Sequence, residues 1–160
     1  MSQLPFTVSW EELHRHTRVL AARLHSDNNG GRGWKGLIAV TRGGLVPAAI
    51  IARELDIRLI DTICVRSYSN NHKQENSVEW IKEFTQGDED GWLMIDDLVD
   101  TGKTAVAIKK ALPKAHFATV YAKPQGRPLV DSFVTEVSQD TWIYFPWDLE
   151  LSSATPVASR

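Results

Sequence analysis

Apolar residues follow two rhythms along this 160-residue chain. Leu13, Leu20, Ala21 and Leu24 recur at the spacing of one helix face, and Ser9-Trp10-Glu11-Glu12 ahead of them has the S-x-x-E form of a capping box. A helix is therefore expected over roughly 10–25. Four shorter runs, Leu37 to Val40, 58–65, Trp92 to Ile95 and 116–122, are apolar or rich in β-branched residues without alternation. That is the pattern of strands covered on both faces. Helical spacing returns between them, at Ala48, Ile51, Ala52 and Leu55 and again over 103–112. Strand–helix alternation of this kind predicts an α/β fold with a mostly parallel central sheet flanked by helices.

The rhythm stops after Lys123. Pro124, Pro128, Pro146 and Pro156 interrupt the chain, and Trp142-Ile143-Tyr144-Phe145 is a dense apolar cluster. The expected organisation is one domain over 1–160: a core to about 122, a small C-terminal hood over about 123–151, and a loose tail over 152–160. SDNNGGRG at 26–33 reads as a surface turn, and the all-polar SNNHKQENS at 69–77 as a mobile loop.

Composition is that of an ordinary globular domain, with a net charge of −2 that gives no pull toward nucleic acid. The charge is unevenly spread. Residues 86–100 hold six acids and no Lys or Arg, and 103–127 hold six bases and no acid. Adjacent blocks of opposite sign suit a ligand carrying both a cation and phosphate. Cys64 is the single cysteine, which rules out an internal disulfide and fits a reducing compartment. MSQLPFTVSW has no basic stretch followed by an apolar one and is not expected to act as a secretion signal. The histidines show no metal-ligand spacing.

The two charge blocks meet in WLMIDDLVDTGKTAVAI at 92–108. Gly102-Lys103-Thr104 looks like the end of a P-loop, but the position of that motif's first glycine is held by Asp97. A carboxylate there opposes a phosphate cradle, so the P-loop reading fails. Asp96 and Asp97 instead follow an apolar strand, where a parallel sheet presents its ligand edge. Two carboxylates can accept hydrogen bonds from vicinal hydroxyls and hold a hydrated Mg²⁺. The next residues, Val99 to Lys103, form a tight loop opening a helix at Thr104, and the amides of the helix N-terminus with the Thr101 and Thr104 hydroxyls make a phosphate site. A diol site beside a phosphate site is the layout of a ribose 5-phosphate.

These residues resemble the phosphoribosyl-pyrophosphate (PRPP) motif of the type I phosphoribosyltransferases: four apolar residues, two acids, then D-T-G-x-T. Val40-Thr41-Arg42-Gly43-Gly44-Leu45-Val46-Pro47 resembles the pyrophosphate loop of that family. AKPQGRPLV at 122–130, Gln139 to Ile143 and Pro146-Trp147-Asp148 are similar to its bacterial purine-salvage branch, from about Trp34 to Asp148. The resemblance implies transfer of the 5-phosphoribosyl group of PRPP to N9 of guanine, xanthine and, more weakly, hypoxanthine, giving GMP, XMP or IMP and pyrophosphate. It implies Mg²⁺ as cofactor, a homotetramer, and a cytoplasmic enzyme whose relatives include some at the inner membrane face.

Residue by residue, it implies that Arg42 and Gly43 bind pyrophosphate across a strained, cis-type Thr41–Arg42 peptide. Asp96 and Asp97 hold the ribose hydroxyls and the metal, Asp97 being the nearer metal contact. Leu98, Val99, Asp100, Thr101, Gly102, Lys103 and Thr104 form the PRPP loop. Asp100 is the catalytic base for the purine N7 proton; read alone, it is equally a helix N-cap. Lys123 donates to the purine O6, and an ammonium, with donors only, disfavours a 6-amino group. Trp142 stacks on the purine and Ile143 meets its 2-substituent; read alone, that pair is core. The loop at 69–77 is expected to cover PRPP. The alternatives are a hypoxanthine-guanine enzyme of the same family and, from another class, an RNA-binding regulator on the same fold. The acidic net charge weighs against the latter.

Overall fold

The computed structural model describes residues 5–67, 78–148 and 156–159. In chain order the elements are β1 (Pro5–Thr7), α1 (Trp10–Asp27), β2 (Gly36–Thr41), α2 (Leu45–Glu54), β3 (Ile60–Ser67), β4 (Val78–Lys82), β5 (Trp92–Val99), α3 (Lys103–Ala111), β6 (His116–Ala122), β7 (Thr135–Glu136) and β8 (Trp142–Tyr144). Six strands form one sheet in the order β4-β3-β2-β5-β6-β7. Every pairing in it is parallel except the edge pair β3–β4. This is the predicted α/β fold.

Alternation along the central strands feeds two cores. Leu37 and Ala39 of β2, with Leu93 and Ile95 of β5, pack on the side of α1 and α2, beside Leu13, Leu20, Leu24 and Ile51. Ile38 and Val40, with Met94, face the other side, against Ala105 and Ile108 of α3 and Phe117 of β6. Both faces are covered, which is why these strands read as continuous apolar runs. The capping box at the head of α1 forms as the sequence predicts. Glu12 N donates to Ser9 Oγ at 3.1 Å, and Ser9 N donates to the Glu12 carboxylate at 3.0 Å. Pro47, which interrupts the apolar run, sits in the first turn of α2, where its missing N–H costs nothing.

The structure departs from the expected elements in several places. β5 does not stop at Ile95 but runs on to Val99, so Asp96 and Asp97 lie inside the strand. After Lys123 the chain adds to both sheets: β7 extends the main sheet, and β8 pairs in parallel with β1 at the other end of the chain. The helix after the acidic motif begins at Lys103, capped by the backbone of Gly102 and not by the side chain of Asp100. The expected loop at 69–77, with His72 and Lys73, lies outside the described residues, as does most of the tail.

Candidate active site

The site forms where β2 and β5, neighbours at the centre of the sheet, end side by side. After β2 the chain turns through a cis Thr41–Arg42 peptide into Gly43-Gly44 and α2. These glycines let the turn press onto β5. A Cβ at Gly43 would lie 2.5 Å from the Asp97 carboxylate, and one at Gly44 would collide with the Ile95 carbonyl. After β5 the chain makes a second turn, Asp100 to Gly102, into α3. Gly102 adopts φ +89°, a left-handed conformation that suits glycine alone, and its bare Cα face packs on Leu129. Val106 N donates to Gly102 O at 2.9 Å, so the first amides of α3 point out of the helix into the turn.

Between the turns lies a cleft of about 390 Å³, lined by Thr41, Gly43, Asp96 and the whole of 97–105, with Ile108 and Phe117 at its floor. One end is acidic. Burial pushes the Asp96 carboxyl well above the usual carboxylate range, and the charge of neighbouring Asp97 adds to the effect. Burial raises Asp97 too, with the charge of Asp148 contributing in the same direction. Asp97 N donates to Asp96 Oδ1 at 2.8 Å, which fixes one carboxylate against its neighbour's backbone. Two desolvated carboxylates of this kind gain from a bound cation or from hydroxyl donors. The other end, Thr101 to Thr104, offers hydroxyls, free amides and the Lys103 side chain.

Beyond Asp100 lies a second group. Lys123, at the first position after β6, is only 4% exposed, and its ammonium donates to Asp100 Oδ2 at 3.1 Å. A lysine so deeply buried is held by a charged partner, not by solvent. Gln139 Nε2 donates to the other oxygen, Asp100 Oδ1, at 2.9 Å. Trp142 follows three residues later with 55% of its surface exposed, while Ile143 beside it is buried and pairs with Phe6 of β1. Behind this hood, Phe145 and Trp147 stack with centroids 4.9 Å apart, and Phe145 meets Tyr121 edge-on at 5.8 Å. The Tyr121 hydroxyl bonds His16 Nδ1 at 2.8 Å, tying the hood's aromatic base to α1.

The fold brings together Gly43, Asp96, Asp97 and 98–104 around one cleft, and Asp100 with Lys123 at its edge. Arg42 is exposed beside this cleft and is not among the residues lining it. Among the described residues, no group of three or more His, Cys, Asp or Glu side chains is gathered as a metal cage. Cys64 is half-buried in β3. The reading of Asp100 as a helix cap does not hold, because its carboxylate is turned to Lys123 and Gln139. The contact of Gln139 with Asp100 is not legible in the sequence. The two lie 39 residues apart, and no spacing signal connects them.

Comparison with known proteins places this architecture. The family model described as the phosphoribosyl transferase domain matches residues 9–154. A xanthine-guanine phosphoribosyltransferase from Desulfotalea psychrophila is 60% identical, over 97% of this chain and 93% of that protein. One from Chromohalobacter salexigens is 51% identical, over 97% of this chain and 91% of the relative. Among solved structures, a purine phosphoribosyltransferase from Pyrococcus horikoshii superposes with a TM-score of 0.75 at 25% identity, covering 96% of this chain and 97% of that one. A xanthine-guanine-hypoxanthine phosphoribosyltransferase from Helicobacter pylori shares the fold with a TM-score of 0.70 at 21% identity, over 89% and 93% of the two chains. With a family match and relatives spanning nearly its whole length, the chain belongs to the phosphoribosyltransferase family and is an enzyme of the type I fold.

Proposed function

We propose that this enzyme transfers the 5-phosphoribosyl group of PRPP to N9 of 6-oxopurines, with guanine and xanthine as preferred bases and hypoxanthine as the weaker one. The observation that carries this is the ion pair of buried Lys123 with half-exposed Asp100 at the rim of the cleft. One member is a fixed donor for a 6-oxo group, the other a fixed acceptor for the N7 proton, and both sit at the end of the PRPP loop. The names of relatives at 51–60% identity point the same way.

In this reading, Thr101 to Thr104 hold the 5-phosphate with backbone amides and hydroxyls, at the N-terminus of α3. Asp96 and Asp97 accept from the ribose 2- and 3-hydroxyls. Arg42 and the Gly43 amide receive the pyrophosphate, and the exposed guanidinium of Arg42 is free to swing toward it. The base enters between Trp142, whose open face supplies a stacking surface, and the Lys123 ammonium. Lys123 has three donors, so it can reach O6 while keeping its contact to Asp100. Asp100 takes the N7 proton as N9 attacks C1 of the ribose, a contribution of roughly 10²–10⁴-fold for general base help.

The donor set fits Mg²⁺. The two carboxylates are raised by burial, so a divalent cation would relieve them, and Mg²⁺ needs only one or two carboxylates when substrate oxygens and water complete its shell. When bound with PRPP, the ion supplies charge neutralisation on the leaving pyrophosphate. Asp97, against the Gly43 turn, is the nearer of the two to the pyrophosphate side.

The functional division is a PRPP core to about 122 with a purine hood over about 123–151. A cytoplasmic homotetramer is part of the proposal; no helix among the described residues is long and apolar enough to cross a membrane. The test is to supply PRPP and Mg²⁺ with guanine, xanthine, hypoxanthine or adenine and to quantify each nucleotide. GMP and XMP, less IMP and no AMP are expected. IMP without XMP would move the enzyme to the hypoxanthine-guanine branch, and no nucleotide with any base would refute the proposal.

A further inference from the structure

We propose that Gln139 is a positioning residue for Asp100, locking the carboxylate in the orientation that receives the purine proton. This rests on the reading of Asp100 as that acceptor.

The Gln139 amide is fixed at both ends. Its Oε1 accepts from Gln125 N at 3.0 Å, and its Nε2 donates to Asp100 Oδ1 at 2.9 Å. The orientation follows from the partners. A backbone N–H can only donate, so it must meet the carbonyl oxygen, and a carboxylate can only accept, so it must meet the NH₂. No flipped amide satisfies both. The backbone of Gln139 is anchored too, because Thr141 N donates to Ser138 O at 3.1 Å and the hydroxyls of Ser138 and Thr141 are bonded across the same turn.

The far end of this tie is informative. Gln125 lies in the turn that follows Lys123, closed by Gly126 N and Arg127 N donating to Lys123 O at 3.1 and 2.9 Å. That turn packs directly on the Asp100 backbone: a Cβ at Gly126 would lie 2.7 Å from Asp100 O. Gln139 therefore joins the proton acceptor to the segment carrying the O6 donor, so the two groups that read the purine share one rigid frame.

Gln139 suits this task better than Lys123. The Lys123 ammonium divides its donors between Asp100 and O6 when the base binds. The half-buried Gln139 amide has no such second duty and keeps hold of Oδ1 throughout, leaving free lone pairs on both oxygens. Loss of this hydrogen bond lets the carboxylate rotate about its side-chain bonds, which lowers turnover without touching the PRPP site.

Two substitutions separate positioning from simple tethering. Gln139→Met removes both hydrogen bonds. Gln139→Glu keeps an acceptor for Gln125 N, and so the tie to the turn, but replaces the donor to Asp100 with a second carboxylate that repels it. Measured with guanine, PRPP and Mg²⁺, both variants are expected to lose roughly 10–150-fold in kcat, the factor a hydrogen bond to a charged group is worth, with KM for PRPP unchanged within about twofold. In an Asp100→Asn background, Gln139→Met is expected to cost less than about twofold more, since a residue acting through Asp100 has nothing left to act on. Wild-type kcat in Gln139→Glu beside an impaired Gln139→Met would overturn the proposal, leaving a structural tether. So would a loss confined to KM for PRPP, or full additivity with Asp100→Asn. If Asp100→Asn itself turns over like wild type, the base assignment fails first and the proposal goes with it.

Discussion

Replacing Lys123 with Met asks whether this buried lysine is there for the fold or for the base. Met keeps most of the stem's volume and apolar contacts but deletes the ammonium. The structural cost follows from the environment of the pair. The lysine side chain is 5% exposed, yet that of its partner Asp100 is 45% exposed. Solvent can therefore hydrate the carboxylate once the ammonium is gone, and Gln139 still bonds it. An ion pair with one partner this open contributes about 0–1 kcal/mol, and Met also avoids the cost of keeping a charge out of water. The net change is expected to stay within about 1 kcal/mol, a Tm shift of at most roughly 2–4 °C for a domain of this size.

The functional cost is larger. A charged donor to a substrate carbonyl is worth about 1.5–3 kcal/mol, or roughly 10–150-fold in kcat/KM for guanine. The assays are thermal unfolding in the absence of ligand, calorimetric binding of PRPP with Mg²⁺, and steady-state GMP formation. Unchanged kcat/KM for guanine together with a Tm fall of more than about 10 °C would instead make Lys123 a purely structural ion-pair member.

Two further substitutions probe other parts of the molecule. Trp142→Ala removes a half-exposed ring, so it should leave Tm nearly unchanged while raising KM for guanine by roughly 5–150-fold, the span of aromatic–base stacking at about 1–3 kcal/mol; a large Tm loss would mark it as core. Asp61 is nearly buried, and although burial alone would raise its carboxyl, hydrogen bonds from Lys82 at 2.7 Å and from the Thr85 and Thr62 amides outweigh that and hold it below the usual range. A depressed acid stabilises the fold above its unfolded-state value and loses that contribution as pH falls through the folded one. Asp61→Asn is thus expected to cost about 1–3 kcal/mol at pH 7, with wild type and variant converging in acid; a cost that is constant with pH would contradict the ionic account.

Much of this architecture is legible in the chain. β2, β5, β6, α1 and α3 announce themselves because each buries enough apolar residues in one period to leave a signal, and 116–122 matches the observed strand to the residue. β1, β7 and β8 have only two or three residues each. A segment that short has no period, and its pairing is decided by partners far away in sequence, as when Pro5–Thr7 meets Trp142–Tyr144. β4 was hidden by its edge position, where alternation is weak and one side faces solvent. The segment 96–104 that lines the cleft could be read because its residues are contiguous. Its partners could not: Asp100 meets Lys123 and Gln139 across 23 and 39 residues, and only the folded sheet brings them together. The motif is contiguous and legible, whereas the orientation of the Asp100 carboxylate belongs to tertiary structure.

The most direct test of the central claim is kcat for GMP formation by Asp100→Asn at saturating PRPP, Mg²⁺ and guanine. Asn is isosteric and can still accept one hydrogen bond through its amide oxygen, but it cannot serve as the proton acceptor. A fall of roughly 10²–10⁴-fold is expected, with PRPP affinity retained within about twofold. A variant that turns over within about threefold of wild type would contradict the reading of Asp100 as proton acceptor, since a general base cannot be removed at so small a cost.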